Sequence, residues 1–533
     1  MQIHERVERF VARLFPEGHR PPAVLAVPGY DPDADAADVA LAGYDYYSAG
    51  HHDDGKPWAS EHPKRFLAAQ IAVGTVDQAL LGALKVKNAH MRTACLSRNL
   101  LVVDEVHASD AYMTEILAAL LDAHRQAGGY ALLMSATLGS VARRRWLDES
   151  GESGIADAID VPYPAVSTRG DTIDAGENDQ AKTVAMSSRP VMREPDAVAQ
   201  FALDAARAGA KVLVVRNTVN YAVNTWQAVA ERAGPFDKLG MNAPTRLHHG
   251  RYAAGDRRLL DARVEELLGK DSQPMVNGCV VVGTQTLEQS LDIDADLLIT
   301  DLCPVDVLLQ RIGRLHRHTR DNRPAGYDAP ACIVLTPPGD DLSPLLDSGQ
   351  DANGLGPHGY VYRNLHVLEA TRRLIEKYDE WRIPEMNRRL VENATHPTAL
   401  ERITDELGDE WKNHGIDVEG SYFADKLTAE GNTIKREKSF YPEEDNEEIC
   451  KGWDNEVKIR TRLGDDRVDI IFEPAPVSPF DGAAIERIAM TVRWLDGSGS
   501  VPESVETTDM DGGFEFGVGS RRFRYDRLGL RRA

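Results

Sequence analysis

Asp104, Glu105 and His107 stand together in the string Leu100-Leu-Val-Val-Asp-Glu-Val-His-Ala-Ser-Asp-Ala-Tyr-Met113. Two adjacent carboxylates and a histidine at the end of an apolar run suit phosphoryl transfer, where a protein holds a metal against phosphates and orients an attacking water. In that chemistry Asp104 holds Mg²⁺, Glu105 polarises the water and His107 senses the γ-phosphate. A plainer reading makes Asp104 and Glu105 helix caps, because acidic side chains favour the N-terminus of the helix expected over residues 112 to 124. Residues 100 to 103 read as a parallel strand covered on both faces, with the carboxylates at its carboxyl end, where ligands of parallel sheets sit.

Other polar strings follow strands in the same manner. Met134-Ser135-Ala136-Thr137 closes a run at residues 130 to 134, and its hydroxyls could couple a metal site to domain movement or simply cap a helix. Gly74-Thr75-Val76-Asp77-Gln78 offers a tight turn and two uncharged groups, Thr75 and Gln78, for a phosphodiester backbone, or an ordinary helix start. Further along come Arg216-Asn217-Thr218, His248-His249-Gly250-Arg251 and Gly283-Thr284-Gln285-Thr286-Leu287-Glu288-Gln289-Ser290-Leu291-Asp292. The hydroxyls and amides of the last could grip a nucleic-acid strand, and Asp292 could reach a nucleotide or link to arginines. Gln310-Arg311-Ile312-Gly313-Arg314-Leu315-His316-Arg317 places three guanidinium groups around a glycine, a device for neutralising a transferring phosphoryl group or else a solvated basic helix end.

The elements that must position these groups alternate. Strand-like runs and amphipathic helices from about residue 65 to 145 predict parallel α/β architecture. The pattern restarts with buried strands at residues 211 to 215, 278 to 282, 297 to 300 and 331 to 335, and helices at 198 to 208 and 305 to 311. The predicted fold is α/β: a partial first domain at residues 1–165, a linker at 166–197, a second α/β domain at 198–345, a helical region at 346–420 and a small α+β accessory domain at 421–533. An acidic patch at residues 443 to 448 belongs to the last.

The formal net charge of −23 argues against general adhesion to nucleic acid or anionic membrane, leaving room for a local basic channel. Only 15 of the 61 cations are lysine, so arginine, the bidentate phosphate ligand, dominates. Five scattered cysteines without Cys-x-x-Cys spacing suggest neither a disulfide framework nor zinc and fit a cytoplasmic protein. No apolar stretch is long enough to span a bilayer, so no membrane partner is expected.

Taken in order, these strings resemble those of a superfamily two helicase, in which ATP sits between two RecA-like domains. Val73-Gly-Thr-Val-Asp-Gln-Ala-Leu-Leu81 and the Asp104 to Met113 string look more specifically like the helicase of type I CRISPR interference, a helicase-nuclease; the similarity spans about residues 60 to 320. Two rival readings stand beside it: a nonenzymatic remnant that binds DNA or the surveillance complex without turnover, and another superfamily two helicase, for instance a DNA-repair translocase, which the tail after His107 opposes.

The resemblance implies two RecA-like parallel-sheet domains, ATP and Mg²⁺ as cofactors, and single-stranded DNA and the Cascade-type surveillance complex as partners. It makes Asp104 the metal ligand, Arg314 and Arg317 the arginine fingers, and Gln310 and Arg311 nucleotide-binding or sensing groups. Ser135 and Thr137 couple the domains. Thr75, Gln78, Thr284 and Gln285 lie along the DNA path, joined by Asn217, Thr218, His248 and Arg251.

The chain also departs from that family. No Gly-x-x-x-x-Gly-Lys-Ser/Thr phosphate loop is present: Gly55-Lys56 precedes Pro57 and Gly269-Lys270 precedes Asp271. The expectation is therefore an incomplete first domain, with exposed sheet edge and apolar surface, and a phosphate loop and histidine-aspartate nuclease carried by a separate polypeptide, encoded in a neighbouring reading frame, or lost. His51-His52-Asp53-Asp54-Gly55-Lys56 looks like the nuclease pattern but reads as surface turn chemistry.

Overall fold

The computed structural model describes residues 2–26, 63–106, 110–151, 153–176, 181–233, 246–272, 278–288, 291–320, 322–347, 353–435, 459–461, 467–495 and 502–533. The chain divides into two compact units: residues 1–136 with 419–463, and residues 137–418 with 464–533.

In the first unit, two parallel strand pairs form. Ala23–Ala26 pairs with Ile71–Gly74, and Leu100–Val103 pairs with Tyr130–Leu133 in the register Leu100↔Tyr130 and Val102↔Leu132. The helix Ala111–Gln126 buries Tyr112, Met113, Ile116, Leu117, Leu120 and Leu121. Its apolar positions fall at the i, i+3, i+4 spacing that places them on one stripe.

Residues 100 to 103 are therefore a strand, but not one covered on both faces. Leu100, Val102, Tyr130, Leu132 and Met134 are all exposed. Their period-two alternation and paired register put the first four on one face of the pair. Nothing among the described residues covers that face, which corrects the expectation of a strand buried on both sides.

The second unit is built on a seven-stranded sheet in the order Glu380–Ile383, Lys182–Arg189, Ala331–Leu335, Leu297–Asp301, Lys211–Val215, Cys279–Gly283, Leu247–His248. All neighbours are parallel except the antiparallel edge strand Glu380–Ile383. Three adjacent inner strands, Leu297–Asp301, Lys211–Val215 and Cys279–Gly283, are near-continuous Val, Leu and Ile runs buried on both faces, as parallel sheets require. Helices Pro195–Arg207, Val219–Ala233, Val305–Ile312, Leu365–Lys377 and Asn387–Thr395 pack their apolar stripes into the same core.

Three differences from the expected domain plan have physical reasons. The segment read as a linker supplies the strand Lys182–Arg189, whose sequence Lys-Thr-Val-Ala-Met-Ser-Ser-Arg has too few large apolar groups to announce a buried strand. Residues 346 to 420 are not a separate helical region, because their helices and the strand Glu380–Ile383 complete the second core. The accessory segment divides: residues 419 to 463 belong with the first unit, and 464 to 533 with the second.

The C-terminal strands include a hairpin, Gly513–Val518 with Arg521–Asp526, extended by Thr507–Met510 and Gly529–Arg532. They share a core with Tyr252, Ala253 and Leu260 of the parallel-sheet domain. No described helix is long and apolar enough to cross a membrane.

Candidate functional site

The first group of functional residues is set by the end of the strand Leu100–Val103. Met134 N donates to Val103 O at 2.8 Å and Val106 N to Met134 O at 3.1 Å, so the two strand ends are tied just where Asp104 and Glu105 emerge. Both carboxylates are exposed. Asp104 Oδ1 accepts the Glu105 backbone N–H at 2.9 Å. Glu105 has φ of +53°, a left-handed conformation that costs a non-glycine residue about 1 kcal/mol and is concentrated at functional sites.

The capping alternative is answered by a different residue. Asp110, not Asp104 or Glu105, is the N-cap of Ala111–Gln126, its side chain accepting from Met113 N. The two carboxylates at the strand end are thus not used to start the helix. His107 lies outside the described residues, as does the loop at residues 51 to 56.

Thr75 is exposed at the N-cap of the short helix Val76–Leu80, whereas Gln78 is buried and makes a poor direct DNA contact. Gly74 is dictated by packing, since a Cβ there would stand 2.5 Å from the Ala26 carbonyl oxygen. Ser135 is half-buried and Thr137 buried; the division between the two units falls between Ala136 and Thr137.

The second group gathers at the carboxyl edge of the seven-stranded sheet. Arg216 is fully buried, its Nε bonded to both oxygens of Asp301 at 3.0 and 3.1 Å. Asn217 donates its backbone N–H to Asp301 at 2.8 Å and its side-chain amide to Leu302 O at 2.9 Å. Thr218 Oγ1 bonds Asn353 Oδ1 at 2.8 Å. These side chains are buried, so the expectation that Asn217 and Thr218 touch DNA directly is corrected: their hydrogen-bonding groups are spent holding the strand ends together.

His248 is corrected likewise. Both ring nitrogens are engaged inside the protein, Nδ1 with Thr286 Oγ1 at 2.8 Å and Nε2 with Asp261 at 2.6 Å. Thr284 is buried, while Gln285 is half-buried and donates to Asn217 O at 3.0 Å. Arg251 is half-buried, with Nη1 on Asn220 Oδ1 at 3.0 Å.

Arg311 proves to be an internal strut. Its guanidinium is fully buried and reaches Glu288 at 2.7 Å, Thr300 Oγ1 at 2.6 Å, Asp301 O at 3.1 Å and Asn217 Oδ1 at 3.2 Å. That saturation corrects its expected role as a direct nucleotide ligand. Arg314 and Arg317 remain half-buried: Arg314 donates to the carbonyls of Glu288 and Leu291, and Arg317 pairs with Asp292 at 2.9 Å. Asp292 thus links to the arginines, one of the two roles expected of it, and also meets His318 at 3.0 Å. Gln310 is half-buried on the same helix. The helix end is fastened from below by Lys182, whose ammonium donates to Ile312 O at 2.8 Å and to Leu315 O; burial pushes its pKa down to about 8.

The family model described as CRISPR-associated nuclease/helicase Cas3, C-terminal, matches residues 208–320. The chain is 32% identical over 375 residues to the CRISPR-associated endonuclease/helicase Cas3 of Escherichia coli K12, covering 68% of this chain and 39% of that protein. It is 35% identical over 357 residues to the Thermus thermophilus protein of the same description, covering 60% of this chain and 37% of the relative. The crystal structure of T. fusca Cas3 superposes with a TM-score of 0.74 at 24% identity, covering 99% of this chain and 63% of that one. The chain belongs to the Cas3 family. It spans under two-fifths of the length of these two curated Cas3 relatives.

The Cas3 segment matched by the family model contains the Arg216, His248, Thr284 and Arg311 strings, the part of the molecule in which most polar groups serve the frame. Sequence reasoning missed the acidic partners of that frame, Glu288 and Asp301, and also Tyr362, which reaches Arg311 at 3.4 Å. Glu288 sits inside a string already singled out, so its position midway between Thr284 and Asp292 was the available signal.

His249, next to His248, ties the sheet edge to the C-terminal strands and carries a pH dependence. Its Nε2 faces Leu528 O at 3.2 Å and its Nδ1 accepts the Arg251 N–H at 3.2 Å, while its ring stacks on Tyr252 at 4.3 Å. Such a ring is held neutral: burial, then the Arg251 charge, push its pKa from 6.5 to about 3. Because the folded-state value is lower than the unfolded one, stability is complete above about pH 6.5 and is lost as the pH falls. Between about pH 7 and about pH 5 this group alone withdraws about 2 kcal/mol. Thermal melting at the two pH values is expected to show a larger acid-induced loss in the wild type than in His249→Gln; equal losses would contradict it.

Proposed function

We propose that this chain carries the helicase work of type I CRISPR defence, translocating on single-stranded DNA with ATP and Mg²⁺ when a phosphate loop is supplied from outside these residues, and turning over little or no ATP without it. The observation that carries the reading is the strand end at Asp104 and Glu105, where a left-handed Glu105 and its neighbouring carboxylate are exposed and take no part in helix capping. Asp104 would hold Mg²⁺. That ion is commonly bound by one or two carboxylates together with substrate phosphates, a donor set this strand end can supply. When bound, the ion neutralises charge between the phosphates.

Glu105 would orient the attacking water, Arg314 and Arg317 would meet the developing phosphoryl charge, and Gln310 would contact nucleotide. Arg311 supports that helix from within. His107 keeps its proposed sensing role, and Ser135 and Thr137 their coupling role. Thr75, Gln285 and Arg251 are the side chains best placed for a DNA backbone, with Gln78, Asn217, Thr218, His248 and Thr284 supporting them. Structures titled T. fusca Cas3-ATP, Cas3-AMPPNP and Cas3-ADP share the fold and support a nucleotide cofactor. A chain of a CRISPR RNA-guided surveillance complex, pre-nicking, shares it with a TM-score of 0.64 and supports that complex as partner.

A second reading, binding of DNA or of the complex without turnover, is favoured by one observation: the 533 residues contain no phosphate-loop pattern. On the first reading a phosphate loop would come from outside these residues. The first reading predicts single-stranded DNA binding, as does the second where its ligand is DNA. Anisotropy titration of a labelled oligothymidylate with the whole chain is expected to show binding that weakens steeply with salt, and several-fold weaker binding by Gln285→Ala. A chain that ignores the oligonucleotide at low salt would refute the first reading and the DNA-binding form of the second.

A further inference from the structure

The last thirteen residues, 521 to 533, carry six arginines against one aspartate in a chain of net charge −23. Most of that hairpin is a packing element. Phe523 and Tyr525 are fully buried, and Arg524 and Arg531 are paired to Asp526. Arg532 is different, because it is exposed and lies with its guanidinium carbon 5.8 Å from the centre of the Trp494 ring. Arg251, from the sheet edge of the parallel domain, lies over the same indole at 4.7 Å. Phe523 stacks parallel to that indole at 6.2 Å, giving it a rigid backing.

Two guanidinium groups thus share one aromatic platform. Among the described residues, they bond or stack with the Asn220 amide, the Arg493 carbonyl and the indole, none of them anionic. Burial pulls the Arg251 guanidinium below its ordinary range; the Tyr360 hydroxyl acts the other way, and Arg532 adds to the lowering. The two like charges repel one another through this shared contact, a cost that an anion bound by both would offset. Asn220 lies in the first turn of Val219–Ala233, the end of a helix that favours negative charge.

The placement is fixed by its neighbours. Leu530 N donates to Arg251 O at 2.8 Å, and Tyr525 and Ser478 close on the buried Asp256 carboxylate. Gly529, at φ of +77°, passes so near His249 that a Cβ would stand 2.6 Å from its Cε1. The C-terminal strand is therefore pinned beside the His249 to Tyr252 segment, at the carboxyl edge that also carries Thr284 and Gln285.

We propose that Arg251 and Arg532, seated on Trp494, form a phosphate clamp by which the C-terminal sheet holds single-stranded nucleic acid leaving the carboxyl edge of the parallel sheet. A guanidinium offers a planar fork matched to phosphate oxygens, and stacking on an indole fixes its direction without consuming its N–H groups. The proposal rests on the reading that this edge binds single-stranded DNA.

The test is anisotropy titration of oligothymidylate with the whole chain at several salt concentrations. Arg251→Ala and Arg532→Ala are each expected to weaken binding several-fold and to lower the slope of log affinity against log salt by about one. Arg532→Lys, which keeps the charge at an exposed position, is expected to retain the slope while losing part of the affinity. If the double alanine variant binds with wild-type affinity and slope while Gln285→Ala weakens binding, the clamp is wrong and the edge reading stands. If the wild type does not bind the oligonucleotide, both are wrong.

Discussion

Joined to a segment that supplies a phosphate loop, this chain is expected to hydrolyse ATP when single-stranded DNA is present, and Glu105→Gln is expected to slow that hydrolysis by about 10² to 10⁴-fold. The size of the effect follows from what a carboxylate does to an attacking water. It accepts the water's proton as the phosphorus–oxygen bond forms, and glutamine keeps the shape without the basicity. Because the proposed role has Glu105 act on the water rather than on phosphate, nucleotide affinity should change little. Asp104→Asn should instead weaken the Mg²⁺-dependent part of nucleotide binding. A fusion whose Glu105→Gln variant turns over at the parent rate would remove Glu105 from the chemistry and return its left-handed backbone to a question of loop shape.

Arg311→Ala is expected to lower the unfolding free energy of the second unit by about 3 to 5 kcal/mol, the usual consequence of stranding one member of a buried ion pair. The stranded member is Glu288, and Thr300, Asn217 and the Asp301 carbonyl lose a donor at the same time. Arg311→Lys should rescue little, since one ammonium cannot reproduce a fork that serves several acceptors in different directions. Replacing the pair together, Arg311→Met with Glu288→Leu, should recover a substantial part of the loss, because a well-packed apolar pair avoids the desolvation of two charges. Denaturant melting followed by tryptophan fluorescence reads these differences. An Arg311→Ala protein that melts as the wild type does but no longer binds nucleotide would restore Arg311 to the nucleotide site.

The strand that ends at Asp104 and Glu105 was legible because four consecutive apolar residues bounded by polar groups read as a strand, and the structure answers the capping alternative by giving the following helix its own cap at Asp110. The inner strands Lys211–Val215, Cys279–Gly283 and Leu297–Asp301 were legible for the same reason, as short unbroken apolar runs. The strand Lys182–Arg189 was not, because its place in the sheet is secured by neighbours on both sides rather than by its own hydrophobicity.

Arg311, Asn217, Thr218 and His248 look functional in sequence, being polar groups at strand ends. Burial decides their use, and burial depends on partners far away in the chain: Arg311 meets Glu288, Asn217 meets Asp301 and His248 meets Asp261. The Trp494 platform was illegible for the converse reason. Its three parts, Arg251, Trp494 and Arg532, come from segments with no common motif and meet only because the C-terminal strands share a core with Tyr252.

On the proposed function, this chain carries the hydrolytic and DNA-contacting groups of a Cas3 helicase without the loop that grips the phosphates. The most direct measurement is DNA-stimulated ATP hydrolysis by the chain alone and by its fusion to a segment that supplies a phosphate loop, side by side. The expected result is little or no turnover by the chain and DNA-dependent turnover by the fusion that Glu105→Gln abolishes. Robust hydrolysis by the chain alone, lost in Glu105→Gln, would contradict it, as would a folded, DNA-binding fusion that hydrolyses nothing.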